Sequence, residues 1–214
     1  MVAPYVASPT EVLRPLGEFA MATVRITDYD AADAGASASM AKVSTPANDE
    51  LTAELDGATE SLGLAADEIL VAALSRTIAR TLGEGLVPVD IASERGALLD
   101  AVPLVCVTAQ RASATEVLAA VHHTLAAASE RDEAASPEVY FNYIGELPAE
   151  TVPVQETPPG LGHALEVRVY RAGGDVRIDW WYDTSRFAAY TIEELAEQFA
   201  FSLVEMTSDA LPPA

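Results

Sequence analysis

The chain has 214 residues, half of them hydrophobic, and sets 33 acidic side chains against 12 basic ones for a net charge of −21. That length and apolar content supply one sizeable core. The charge excludes nucleic acid as a partner, because binding it means neutralising phosphates with cations, and disfavours an anionic membrane surface for the same reason. A single lysine, Lys42, and a single cysteine, Cys106, are present. No internal disulfide can form, and no Cys/His cluster has zinc spacing. The N-terminal MVAPYVASPTEVLRPLGEF has no basic segment leading into an apolar run, so no signal peptide is expected. No apolar stretch approaches the roughly 18 residues of a membrane span. A soluble cytoplasmic protein is the expectation.

Residues 1–18, with Pro4, Pro9 and Pro15, read as an extended arm; 19–208 read as one lobe and 209–214 as a tail. Residues 31–41 are small and weakly patterned. Leu51, Leu55, Ala58 and Leu62 recur at helical spacing behind Asn48 as N-cap and before Gly63 as stop, which predicts a helix over 49–62. A second helix over 67–82 carries the stripe Ile69, Leu70, Ala73, Leu74, Ile78 and Leu82, the richest apolar face in the chain, and belongs at the centre of the core. Val87, Val89 and Ile91 alternate as a strand, with Pro88 favouring an edge position. Residues 102–108 are apolar almost throughout and read as a strand covered on both faces.

Ser113 and Glu116 form a capping box for a helix over 113–128, and 138–144 read as a strand. Residues 165–182 fold as a hairpin about Gly173-Gly174. That register pairs Leu165 with Tyr182, Val167 with Trp180 and Val169 with Ile178 on one face. On the other it sets Arg168 opposite Asp179. Thr191 and Glu194 suggest a last capping box, with Tyr190 and Leu195 as its hydrophobic staple, for a helix over 191–207. Helices alternate with strands, yet a hairpin is present. The fold class is therefore α/β (α+β), a mixed sheet packed with helices in a two-layer sandwich.

The chemistry is sparse. His122 and His123 sit inside a helix, and successive helical residues diverge by about 100°, so His122 borders the apolar face and His123 points outward. His163 lies in a Gly-Pro-rich connection with no neighbour in sequence to orient it. Cys106 reads as a small buried hydrophobe. Trp180 reads as core and Trp181 as sheet surface. Ser113 and Ser185 have no partner base in sequence, and PPGLG and AGG are turn chemistry. No complete catalytic constellation results.

At residues 138–146, EVYFNYIGE resembles the Phe-Asn-Tyr-Leu-Gly motif of epimerization and condensation domains of nonribosomal peptide synthetases. Three further matches fall in the same order. Asp67-Glu68-Ile69-Leu70-Val71-Ala72-Ala73-Leu74 resembles the Asp-x-Leu-Leu-x-Ala helix. Val87-Pro88-Val89-Asp90-Ile91 resembles the strand that enters the Glu-Gly-His-Gly-Arg segment. Trp180-Trp181-Tyr182 through Phe187 to Leu195 resembles the closing hairpin and helix. Together they span about residues 40–207.

The resemblance implies the C-terminal lobe of a two-lobed, chloramphenicol acetyltransferase-like domain, whose His-His-x-x-x-Asp-Gly motif lies in the first lobe. The catalytic glutamate of epimerization domains would fall on Ala92, or with a shift of two on Glu94. No residue of this chain is therefore expected to be catalytic. Phe141, Asn142, Tyr143 and Gly145 are expected to be structural, with the Asn142 amide tying its strand to a loop. The resemblance further implies a half module that acts by binding a carrier protein, a synthetase domain or a separate N-terminal lobe. Arg76, Arg80, Arg95 and Arg111 are the expected contacts. No cofactor is bound directly, although the phosphopantetheine of a carrier protein could reach the lobe. The alternative is an acyl- or peptidyl-transferase or epimerase part whose site is completed by another chain or by homo-oligomerisation, with His163 or His122 as base.

Overall fold

In the computed structural model the Asn48 side chain accepts hydrogen bonds from Glu50 N at 2.9 Å and Leu51 N at 3.3 Å, and so begins α1 (Asp49–Leu62). Gly63 ends that helix in the left-handed conformation, with φ 67°. The structure describes residues 22–30, 39–46, 48–92, 98–127, 137–147 and 162–211. The expected arm over 1–18 and Arg95 lie outside these. α2 (Ala66–Thr81) follows, and its run from Ile69 to Leu74 is wholly buried. α1, α3 (Ala114–Ala127) and α4 (Ala189–Ser208) all pack against it, which is the central place its sequence demanded.

The helices cover one face of a six-stranded mixed sheet. Its strands are β1 (Met40–Thr45), β2 (Gly85–Ala92), β3 (Leu98–Cys106), β4 (Val139–Leu147), β5 (Leu165–Ala172) and β6 (Asp175–Asp183), in the order β1-β6-β5-β4-β2-β3. β4 is parallel to both β2 and β5, and the remaining pairs are antiparallel. The β5–β6 hairpin takes the expected register, with Val167 opposite Trp180 and Arg168 opposite Asp179. Both central turn residues have positive φ, 66° at Gly173 and 93° at Gly174, as a two-residue turn matching the strand twist requires.

The Ser113–Glu116 box also forms. Ser113 N donates to Glu116 Oε2 at 2.7 Å, and Glu116 N donates back to Ser113 Oγ at 3.3 Å.

Three expectations are corrected, and one strand is added. β1 begins at the end of the weakly patterned stretch and pairs along the edge of β6. Pro88 lies on an interior strand rather than at the edge. Leu86, two residues before it, bonds to Ala22 and Val24, and the ladder to β4 starts only at Val89. Pro88 falls between these two ladders, opposite Pro103, so neither asks it for an N–H. β3 is the edge strand and is covered on one face only: Val102, Leu104 and Cys106 are buried while Pro103 is exposed. Finally, α4 starts at Ala189, so Thr191 is already inside its first turn and no Thr191–Glu194 box is made. Asp28 works from a distance instead, accepting from Ala188 N at 2.8 Å. Tyr190 is left 67% exposed, so it staples nothing to Leu195.

Cys106 is buried in β3, and burial alone pushes its thiol up to about 12. The thiolate is the reactive form. Ellman's reagent is therefore expected to leave the native thiol unlabelled over hours and to titrate one thiol per chain after denaturation. Fast native labelling would mean that β3 opens.

Candidate functional site

The sheet face turned away from the helices carries the polar chemistry. Alternation sends Val139, Phe141 and Tyr143 of β4 into the hydrophobic core, which leaves Tyr140 and Asn142 on the other side. The register then aligns two rows across the strands. One runs Asp90, Tyr140, Glu166, Trp181, Lys42; the other runs Ala92, Asn142, Arg168, Asp179, Ser44.

These rows are largely buried, and their charges are partnered. Arg168 Nη2 donates to Glu166 Oε2 at 3.1 Å, with both side chains almost fully enclosed. Asp179 accepts from Ser44 Oγ at 2.6 Å and Tyr170 Oη at 3.4 Å, and pairs with Lys42 Nζ at 3.8 Å. Trp181 lies within reach of two cations, Lys42 at 5.3 Å and Arg168 at 5.6 Å from its ring centre. It is thus a packed residue of this polar layer. Burial, and after it Glu166, raises the pKa of the Tyr140 phenol; burial, and after it Asp179, does the same for Tyr170. Both phenols therefore stay protonated.

At the end of the first row Asp90 holds His163. Nε2 of the imidazole lies 2.7 Å from Asp90 Oδ2, and the ring stacks on Tyr140 with centroids 5.2 Å apart and planes 21° from parallel. The other oxygen, Asp90 Oδ1, accepts from Ala101 N at 2.8 Å. Sequence reading left His163 without an orienting group, because its partner is 73 residues away. His122 also has a partner, Glu68 Oε1 at 3.2 Å from Nδ1, but it stands on the outer helix layer with its side chain 42% exposed. His123 is exposed, as helical geometry predicted.

The Phe-Asn-Tyr-x-Gly segment has a plain geometric logic. Phe141 and Tyr143 anchor β4 in the core, and Gly145, with φ 79°, takes the left-handed turn at the irregularity in the β4–β5 ladder. Asn142 departs from expectation. It is half-buried on the polar face, opposite Ala92 and Arg168, and among the described residues its amide makes no hydrogen bond.

Of the expected contact arginines, Arg76 is corrected: it is fully buried in α2 and cannot meet a partner. Nη1 donates to Val107 O, Nη2 to Ala112 O at 2.6 Å, and Nε forms an ion pair with Glu205 at 3.1 Å. Arg80 reaches the same Glu205 at 2.5 Å, and Arg111 pairs with Glu84 at 3.0 Å at the surface. Among the described residues no group of three or more His, Cys, Asp or Glu could hold a metal ion, and no helix is long and apolar enough to cross a membrane.

Comparison with solved structures identifies the fold. The epimerization domain from the third module of tyrocidine synthetase B superposes with a TM-score of 0.67 at 15% identity, covering 90% of this chain and 53% of that one. The fold is that of a condensation-domain-like lobe. The condensation domain of the monacolin K polyketide synthase superposes with a TM-score of 0.59 at 12% identity, over 81% of the lobe and 48% of that domain. The lobe therefore spans about half the length of these structures. In sequence it is similar to part of a phenolphthiocerol/phthiocerol polyketide synthase of Mycobacterium tuberculosis, at 35% identity over 219 residues, covering 80% of the lobe and 15% of that synthase polypeptide. No family model matches the lobe. Its chloramphenicol acetyltransferase-like class, a mixed sheet with helices on one face, is the one expected.

Proposed function

We propose that the lobe is a binding half of an acyl- or peptidyl-transfer module in a polyketide or nonribosomal peptide assembly line. In this reading it docks a complementary N-terminal lobe and receives a carrier protein with its phosphopantetheine arm. The observation that carries the proposal is the match of 90% and 81% of the chain to about half of an epimerization domain and of a condensation domain. The side chains support a noncatalytic role. Ala92 stands at one of the two positions where the resemblance puts the catalytic glutamate, on the same strand face as Asp90 and opposite Asn142; the other, Glu94, lies outside the described residues. A methyl group can neither take up nor deliver a proton. The Asn142 amide beside it can still hydrogen-bond an arriving chain.

The test is a carrier assay with the purified protein. Holo-carrier loaded with an acyl or aminoacyl group is expected to bind without turnover, with binding lost on Asn142→Leu. Turnover by the lobe alone would overturn the reading. One observation favours the alternative, an active site completed by another chain: the His163–Asp90 pair has the orientation that a general base requires. Turnover that appears only on mixing with an N-terminal lobe and vanishes in His163→Ala would establish that alternative.

A further inference from the structure

Two neighbours orient His163, yet one of its two nitrogens has no hydrogen-bond partner among the described residues. Asp90 fixes Nε2, Tyr140 fixes the ring plane, and the side chain is only 5% exposed. Nδ1 is buried and, among the described residues, has no hydrogen-bond partner. A buried polar atom left this way costs about 1–3 kcal/mol, and native folds seldom tolerate it without a reason.

The state of that nitrogen follows from its neighbour. An ionised carboxylate only accepts, so the proton on the 2.7 Å contact belongs to Nε2. In that tautomer the lone pair lies on Nδ1, with no donor facing it among the described residues. The orienting carboxylate is itself held. Asp90 sits at the irregularity in the β2–β3 ladder, and its second oxygen binds the N–H of Ala101, the one non-glycine residue with positive φ (49°) among the described residues. Such bulges and strained residues recur beside functional sites.

We infer that His163 Nδ1 is the acceptor of a ligand-binding site, taking a hydrogen bond from an N–H, O–H or S–H donor on a small organic ligand. Asp90 is its positioning residue and the Tyr140 ring its wall. The inference uses only this lobe's own residues and does not depend on the docking of a carrier protein.

Imidazole nitrogen resonances of the uniformly nitrogen-15-labelled full chain test it directly, with His163 identified by the signals lost in His163→Gln. Without ligand, His163 is expected to show a proton on Nε2 and none on Nδ1. N-acetylcysteamine, which carries an amide N–H and a thiol, is expected to move the Nδ1 resonance saturably. Its S-methyl ether distinguishes the two donors, and N,N-dimethylacetamide, which has neither, should leave the resonance in place. Asp90→Asn, which no longer dictates the tautomer, should weaken the N-acetylcysteamine response about tenfold. A proton on Nδ1 in the unliganded protein, a resonance unmoved at saturating N-acetylcysteamine, or a long-lived water as the sole partner of Nδ1 would each overturn the inference. Carrier docking can succeed or fail independently of all three results, so the two proposals fail separately.

Discussion

Replacing Arg76 with methionine should cost about 3–5 kcal/mol of stability, read as a lowered urea midpoint at unchanged slope. The side chain is fully buried, and its three contacts come from three parts of the fold: Val107 O, Ala112 O and Glu205. It thus ties α2 to the connection between β3 and α3 and to α4 at once. Methionine fills the volume but leaves two carbonyls without a donor and takes one of two cations from Glu205. Burial pulls the guanidinium pKa down while Glu205 pulls it back, yet an arginine starts high enough to remain charged. Removing the carboxylate as well does not repair the loss, because the two carbonyls belong to the backbone and cannot be mutated away. The double variant Arg76→Met, Glu205→Met is therefore expected to be no more stable than the single one. Recovery of most of the stability in the double variant would show that the ion pair dominates and the carbonyl bonds contribute little.

Arg76 also shows where sequence reading stops. It sits at position 76 among residues whose helical stripe was legible, and an arginine next to such a stripe reads as a surface cation. Its acceptors are 31 and 36 residues away and are backbone atoms, which leave no mark in the sequence. The His163–Asp90 pair was hidden in the same way. The hairpin, by contrast, was legible to the residue, because two faces had to agree and each alternative register would have buried a charge against an apolar row. Local chemistry was also legible where the partner is three residues away, as at Ser113–Glu116 and Asn48–Leu51. It misled at Thr191, where the same pattern was present but Asp28 had already capped the helix from 160 residues away. β1 went unread because Met40–Thr45 is short and only half-buried, and it owes its strand conformation to the edge of β6.

Glu166→Ala is expected to destabilise the lobe by a similar amount, about 3–5 kcal/mol, because it strips its 3.1 Å partner from an enclosed arginine, Arg168. Here the comparison with Arg76 turns around. Both members of this ion pair are side chains on one strand, two residues apart, so both can be replaced together. Glu166→Leu with Arg168→Met exchanges the pair for apolar groups of similar volume. Such exchanges are often neutral or stabilising, since burying two charges costs about as much as their attraction returns. The double variant should therefore regain most of the stability lost by Glu166→Ala. A fold that can do without the pair has no structural need for charges in the middle of both polar rows. Both side chains are enclosed, so under the binding reading the pair acts through its neighbours: Arg168 lies between Asn142 and Asp179, and Glu166 between Tyr140 and Trp181, which lets it set the position of the half-buried Asn142 that the arriving chain meets. The double variant is accordingly expected to fold with near-native stability yet bind loaded carrier at least about tenfold more weakly, a loss of about 1.4 kcal/mol. Native affinity in a stable double variant would make the pair a dispensable relic of the sheet and would move the binding surface off this face. A double variant as unstable as Glu166→Ala would make the pair a packing element, held by the further contacts that Arg168 makes.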